Sequence, residues 1–177
     1  MNHSVQTDDR PTRAASPASA GARPGRTARK FPLTDLSVWL MVTLIAVGLP
    51  RTVLADLDIV RPESSLLYYI LALAPFAVWL VVAVFHDARK PFMNFVVVGV
   101  LYGLSLVVIH QALWNAGASL GHNPPVAAVN FADSVDPAYQ QLALRGYTVM
   151  IAMAIGVGTG LVAGLVAMTA RARRSRR

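Results

Sequence analysis

At 177 residues, 55% of them hydrophobic and only 14% charged, the chain falls outside the soluble norm of about 45–50% apolar and about 25% charged. Its length leaves room for one small helical domain and no second globular one. It has no cysteine, which excludes disulfide exchange, thiolate metal sites and cysteine nucleophiles, and its formal net charge of +7 gathers at the two ends, a distribution that membrane topology accounts for before nucleic-acid binding does.

Residues 1–30 are rich in Ala, Ser, Pro, Gly, Thr and Arg, with Val5 the one large aliphatic after Met1. Such a segment cannot bury enough apolar surface to offset the entropy of ordering, and it is expected to be a disordered basic tail. Four apolar runs follow, at 36–49 (extending to 55), 66–85, 92–113 and 147–170. A helix crossing the hydrocarbon core needs about 20 mostly apolar residues at about 1.5 Å each. Three runs reach that length outright, and the first reaches it if its helix continues through Pro50 and Arg51. The fold class predicted is therefore an all-α membrane protein. Its residues 31–170 form an antiparallel bundle of four transmembrane helices, with spans at about 34–55, 66–85, 92–115 and 145–170, and residues 171–177 form a second basic tail.

The first run has a second reading. Val53-Leu54-Ala55 places small residues where a signal peptidase prefers them, and an apolar stretch of about 14 residues suits a signal h-region. Cleavage after Ala55 would leave three spans and the same orientation.

Charge sets that orientation. Arg10, Arg13, Arg23, Arg26, Arg29 and Lys30 precede span one, His86-Asp87-Ala88-Arg89-Lys90-Pro91 links spans two and three, and Arg171, Arg173, Arg174, Arg176 and Arg177 close the chain. The other two connections are acidic, with Asp56, Asp58 and Glu63 against Arg61 in one and Asp133 and Asp136 in the other. Basic residues concentrate on the cytoplasmic side. All three basic segments share one side of a four-span chain, which predicts a multi-pass protein of the cell membrane with both termini cytoplasmic. The basic tails are expected to meet anionic lipid headgroups, each juxtamembrane cation contributing about 1 kcal/mol; no nucleic-acid partner is expected.

Local signals mark helix ends. Pro91 suits the first position of span three, Ser64 or Ser65 can cap span two, and Asp136-Pro137 reads as a cap and first residue of a last helix longer than the bilayer is thick. Pro75 removes the bond to the Leu71 carbonyl in mid-span two.

Two sets of residues stand out within the spans. Ala152, Gly156, Gly160 and Gly164 recur every fourth residue on span four, and Gly99 and Gly103 make a shorter stripe on span three. Small residues let helices in lipid approach closely, so these six are expected to pack helices, either within the chain or against a second copy or another membrane partner. The other set is a polar layer near the outer side: Arg51 on span one, and His110, Gln111, Trp114 and Asn115 at the end of span three. Tyr68, Tyr69, Arg145 and Tyr147 can reach the same level. Ionisable groups within spans are costly and usually face the interior. His110 is expected to point inward, two turns from Gly103, and to be neutral because of a cationic Arg51 at similar depth.

Other motifs fall away on context. Gly117-Ala118-Ser119-Leu120-Gly121 matches the G-x-S-x-G string of serine hydrolases and His122 follows it, but the motif needs a strand before its strained turn and none is predicted. Gly158-Thr159-Gly160 lies at bilayer depth without a preceding strand, which removes a dinucleotide reading. His86-Asp87 is too sparse for a metal. No cofactor is expected. The function predicted is a non-enzymatic membrane protein that binds a partner or lipid, with the alternative of a small transporter or channel whose polar cavity lies around His110 and Arg51.

Overall fold

The computed structural model describes residues 33–60 and 66–176. The expected disordered tail, the Ser64 or Ser65 cap and Arg177 lie outside the described residues. What is described is all-helical, with no strand: α1 (Val38–Asp56), α2 (Leu66–Phe85), α3 (Pro91–Ala112), α4 (Val126–Asp133), a 3-10 turn (Pro137–Tyr139) and α5 (Gln140–Arg174). Four of them are long and apolar enough to cross a membrane: α1, α2, α3, and α5 together with its lead-in turn. Large apolar side chains such as Trp39, Leu73, Val108 and Val162 stay exposed along these helices, as a lipid-facing surface requires.

The helix ends differ in detail from the sequence reading. α1 does continue through Pro50, which forfeits the bond to the Ala46 carbonyl, and it runs to Asp56. Its end is a Schellman turn: the amide of Asp58 donates to Ala55 O at 3.0 Å and that of Ile59 to Leu54 O at 2.9 Å, with Asp58 itself in the left-handed region at φ 58°. α3 stops at Ala112, three residues before the expected end of span three, where the chain turns into a compact loop. Asp136 caps as expected, its carboxylate accepting from Ala138 N at 2.9 Å, but one 3-10 turn precedes α5. At about 1.5 Å per residue, the 35 residues of α5 extend well past the roughly 30 Å hydrocarbon core. The acidic connection before Asp136 holds an element that the sequence reading did not include. This is α4, which buries Ala128 and Ala132, one helical turn apart, and packs on α5.

α3 and α5 form the tightest seam. Gly99, Gly103, Ala152, Gly156, Gly160 and Gly164 are all buried there. A Cβ added to Gly99 would lie 2.6 Å from Gly156 O and 2.8 Å from Gly160 Cα, and one on Gly164 would meet Phe92. Gly103 faces Ala152 and Met153, so the two helices pair in opposite directions. The stripe is thus filled by α3 of the same chain. Beside it sits an apolar core of Leu36, Met41, Leu44, Trp79, Phe95, Val98, Ala163 and Ala167. Trp79 Nε1–H donates to Leu44 O at 2.9 Å, which satisfies the indole within the core.

The end carrying the turn 86–90, here the lower end, is fastened by polar groups. Asp35 accepts from Lys90 N at 2.8 Å, and Asn94 Oδ1 accepts from Asp35 N at 3.1 Å. The segment before α1 therefore caps α3. Arg171 donates to the carbonyls of Ala88 and Arg89, and Arg174 to Val84 O at 3.0 Å. Two arginines of the basic tail thus complete the end of α2 and the turn after it.

Candidate functional site

The opposite, upper end contains a cavity of about 300 Å³ between α1, α3 and α5, roofed by residues of the loop 113–125. It reaches the glycine seam at its lining residue Ala152, which with Gly156 meets Gly103. Arg51, Thr52, Asp56, Tyr102, His110, Asn123, Tyr147 and Thr148 provide its polar wall, and Leu106, Leu120, Ile151 and Ile155 most of its apolar wall.

The central pair in the wall is Asp56 with His110. Asp56 Oδ2 lies 2.8 Å from His110 Nδ1, and the two side chains are 6% and 20% exposed. Asp56 reaches this position because α1 keeps its helical turn past Pro50 and the Schellman turn then carries the chain away. The loop holds the pair from above. Gly117 adopts φ +49°, and a Cβ there would come within 2.9 Å of Asp56 O and Leu57 C. A side chain is therefore disfavoured both by backbone conformation and by the end of α1.

Ser119 and Gly121 shape the same loop. Ser119 is fully buried and its hydroxyl donates to Trp114 O at 2.5 Å. Gly121 lies against the Trp114 carbonyl and indole, and His122 turns its Nδ1 to Gly117 O at 2.9 Å. The G-x-S-x-G string therefore builds a knot around Trp114, with the serine and the histidine committed to different carbonyls.

The five polar residues singled out from the sequence divide into groups. Arg51 and His110 line the cavity, but they are not partners. Arg51 Nη2 donates to Tyr68 OH at 2.8 Å, with its guanidinium carbon 4.9 Å from that ring's centroid. The neighbour of His110 is a carboxylate, not the arginine from which its neutrality was argued. Gln111 and Trp114 face a second cluster: Arg145 Nη1 donates to Gln111 Oε1 at 3.0 Å and stacks over Trp114 with its carbon 4.6 Å from the ring centroid. Gln111 Nε2 is buried there without a partner. Asn115 is exposed and contributes to neither group.

Asp56, Tyr102, Thr148 and Asn123 were not singled out. Tyr102 sits eight residues before His110, two turns along the same face of α3, and its hydroxyl donates to Gly48 O at 3.3 Å. Thr148 donates to Arg145 O at 2.8 Å. Among the described residues no group of three or more His, Cys, Asp or Glu side chains is placed to hold a metal ion. Neither a protein-family model, nor a curated protein, nor a solved structure matches the chain.

Proposed function

We propose that the chain is a non-enzymatic protein of the cell membrane, an antiparallel four-span bundle that binds a small partner in its upper cavity. The observation carrying this reading is the cavity itself. It pairs a buried carboxylate–imidazole couple and a guanidinium with an apolar wall, the mixture of apolar surface and few placed polar groups that small-molecule sites share. In this reading the cavity opens outward. The turn 86–90, both termini and the basic tails are cytoplasmic, where exposed Arg173 and Arg176 face anionic headgroups. Because the glycine face is used inside the chain, an oligomer or membrane partner would engage another lipid-facing helix surface.

Transport is the second reading, favoured by the Asp56–His110 couple, since such a pair can exchange a proton with a cargo. The close-packed glycine seam weighs against an open channel. The test is a Thr52→Cys chain in proteoliposomes, exposed to a small charged thiosulfonate. Binding at an outward, blind cavity is expected to give labelling from the outside alone and no solute flux. No labelling from either side would remove the cavity reading. Labelling from both sides, or flux that His110→Leu abolishes, would establish transport in its place.

A further inference from the structure

The cavity's unspent polar groups carry a sign. Among the described residues, no carboxylate lies within ion-pair distance of Arg51, which donates to the Tyr68 hydroxyl and lies over that ring. The one carboxylate in the wall is already engaged, 2.8 Å from His110 and almost fully buried. α1 ends beside it, and a helix C-terminus ordinarily presents a partial negative charge of about half an electron. Here the carbonyls of Val53, Leu54 and Ala55 are taken by the amides of residues 57–60, which reduces that end's pull on a cation. Tyr102 and Thr148 have given their hydroxyl protons to backbone carbonyls. What remains to meet a guest is the rest of the Arg51 fork, the Asn123 amide and His110 Nε2, set against Leu106, Ile151 and Ile155.

We infer that the cavity binds the oxyanion of a small amphipathic acid, with Arg51 as its charge partner and the apolar wall holding a short hydrocarbon body. The inference rests on the cavity-binding reading and adds the class of ligand to it. Guanidinium suits this role because its planar fork matches a carboxylate or a phosphate through two parallel hydrogen bonds. Size narrows the choice. About 300 Å³ is the volume of about ten waters at about 30 Å³ each, which admits a medium-chain fatty acid and excludes a two-chain lipid from entering whole. The same oxyanion chemistry has two sources, a free acid from the aqueous side or the headgroup of an anionic lipid reaching in from the bilayer.

The experiment uses the full chain in phosphatidylcholine nanodiscs, titrated with octanoate and with octanol and octylammonium as neutral and cationic isosteres. Heat of binding and the thermal midpoint are both read. Octanoate is expected to bind at least tenfold more tightly than either isostere. Arg51→Gln is expected to abolish that preference and Arg51→Lys to keep part of it, both checked for folding by size exclusion and circular dichroism. The isostere comparison on the unmutated chain decides the matter even if Arg51→Gln does not fold. Equal binding of all three, or tighter binding of octylammonium, overturns the oxyanion and leaves the binding cavity standing. Binding of none of them overturns both. Repeating the titration in discs containing phosphatidylglycerol separates the sources: competition identifies the lipid headgroup as the natural oxyanion, and unchanged octanoate affinity identifies a free acid.

Discussion

Two single-methyl substitutions, two residues apart on α5, test the packing of the whole domain. A Cβ on Gly160 would lie 2.5 Å from Phe95 O and 2.9 Å from Gly99 Cα, whereas one on Gly158 would meet nothing within 4 Å. The atoms facing Gly160 are backbone and cannot rotate aside. Ordinary contact begins near 3.4 Å, so Gly160→Ala has to part α3 from α5 by about 0.9 Å. That loosens the neighbouring contacts at Gly99, Gly103 and Gly156 as well. Overpacking of this kind costs about 1–3 kcal/mol, against a helix-propensity gain of about 0.5–1 kcal/mol for replacing glycine by alanine. Gly158→Ala receives the gain without the clash. The two variants are therefore expected to differ by about 1–3 kcal/mol, with Gly158→Ala neutral or stabilised. Equilibrium unfolding in mixtures of dodecyl maltoside and dodecyl sulfate, followed by circular dichroism, measures both. Gly160→Leu extends the series and is expected to be worse than Leu161→Ala, whose side chain is 40% exposed. Coincident curves for Gly158→Ala and Gly160→Ala would refute the reasoning, because nothing but the facing backbone distinguishes the two sites.

His110→Leu strands the buried Asp56 carboxylate and is expected to cost about 1–3 kcal/mol, read as a fall in thermal midpoint, while His122→Leu on the exposed loop stays within about 0.5 kcal/mol. Adding Asp56→Asn to His110→Leu is expected to restore part of the loss, since the uncompensated charge is then gone; no recovery would mean the pair is not coupled. For topology, cysteines at Asp87 and Ser175 are expected to resist an impermeant thiol reagent in intact cells and one at Ala127 to label. Asp87 serves better than its neighbour Ala88, which is only 6% exposed, and labelling at Asp87 would invert the orientation. Finally, Met41 and Leu44 of α1 belong to the core, so the purified chain is expected to retain α1, and an intact mass beginning at Asp56 would show that α1 had been cleaved.

The four long helices were legible because run length and apolarity are local properties, read without knowing any contact. The site was legible only where a residue was conspicuous for its surroundings. His110 stands out as an ionisable group in an apolar run, and so does Arg51. Asp56 did not, because the predicted span ended at about residue 55 and its charge grouped it with the acidic connection; α1 runs one residue further and ends on it. Tyr102 was missed for a different reason. A tyrosine in a span reads as an interfacial anchor, and only its two-turn spacing from His110 hints at a shared face. The loop over the cavity was out of reach, since its shape comes from one left-handed glycine and from Ser119 and Gly121 closing on Trp114. The basic tail was read by charge alone, whereas two of its arginines serve the carbonyls of Val84, Ala88 and Arg89.

The seam between Gly99 and Gly160 joins parts of the chain about 60 residues apart. Translation at about 5–20 residues per second separates their appearance by about 3–12 seconds. Until α5 is made, the face of α3 at Gly99 and Gly103 lacks the backbone that covers it in the folded chain. The tightest contact of the bundle is therefore one that translation can complete only with the last helix. A chain ending before residue 152 would lack every residue that covers Gly99 and Gly103 across this seam.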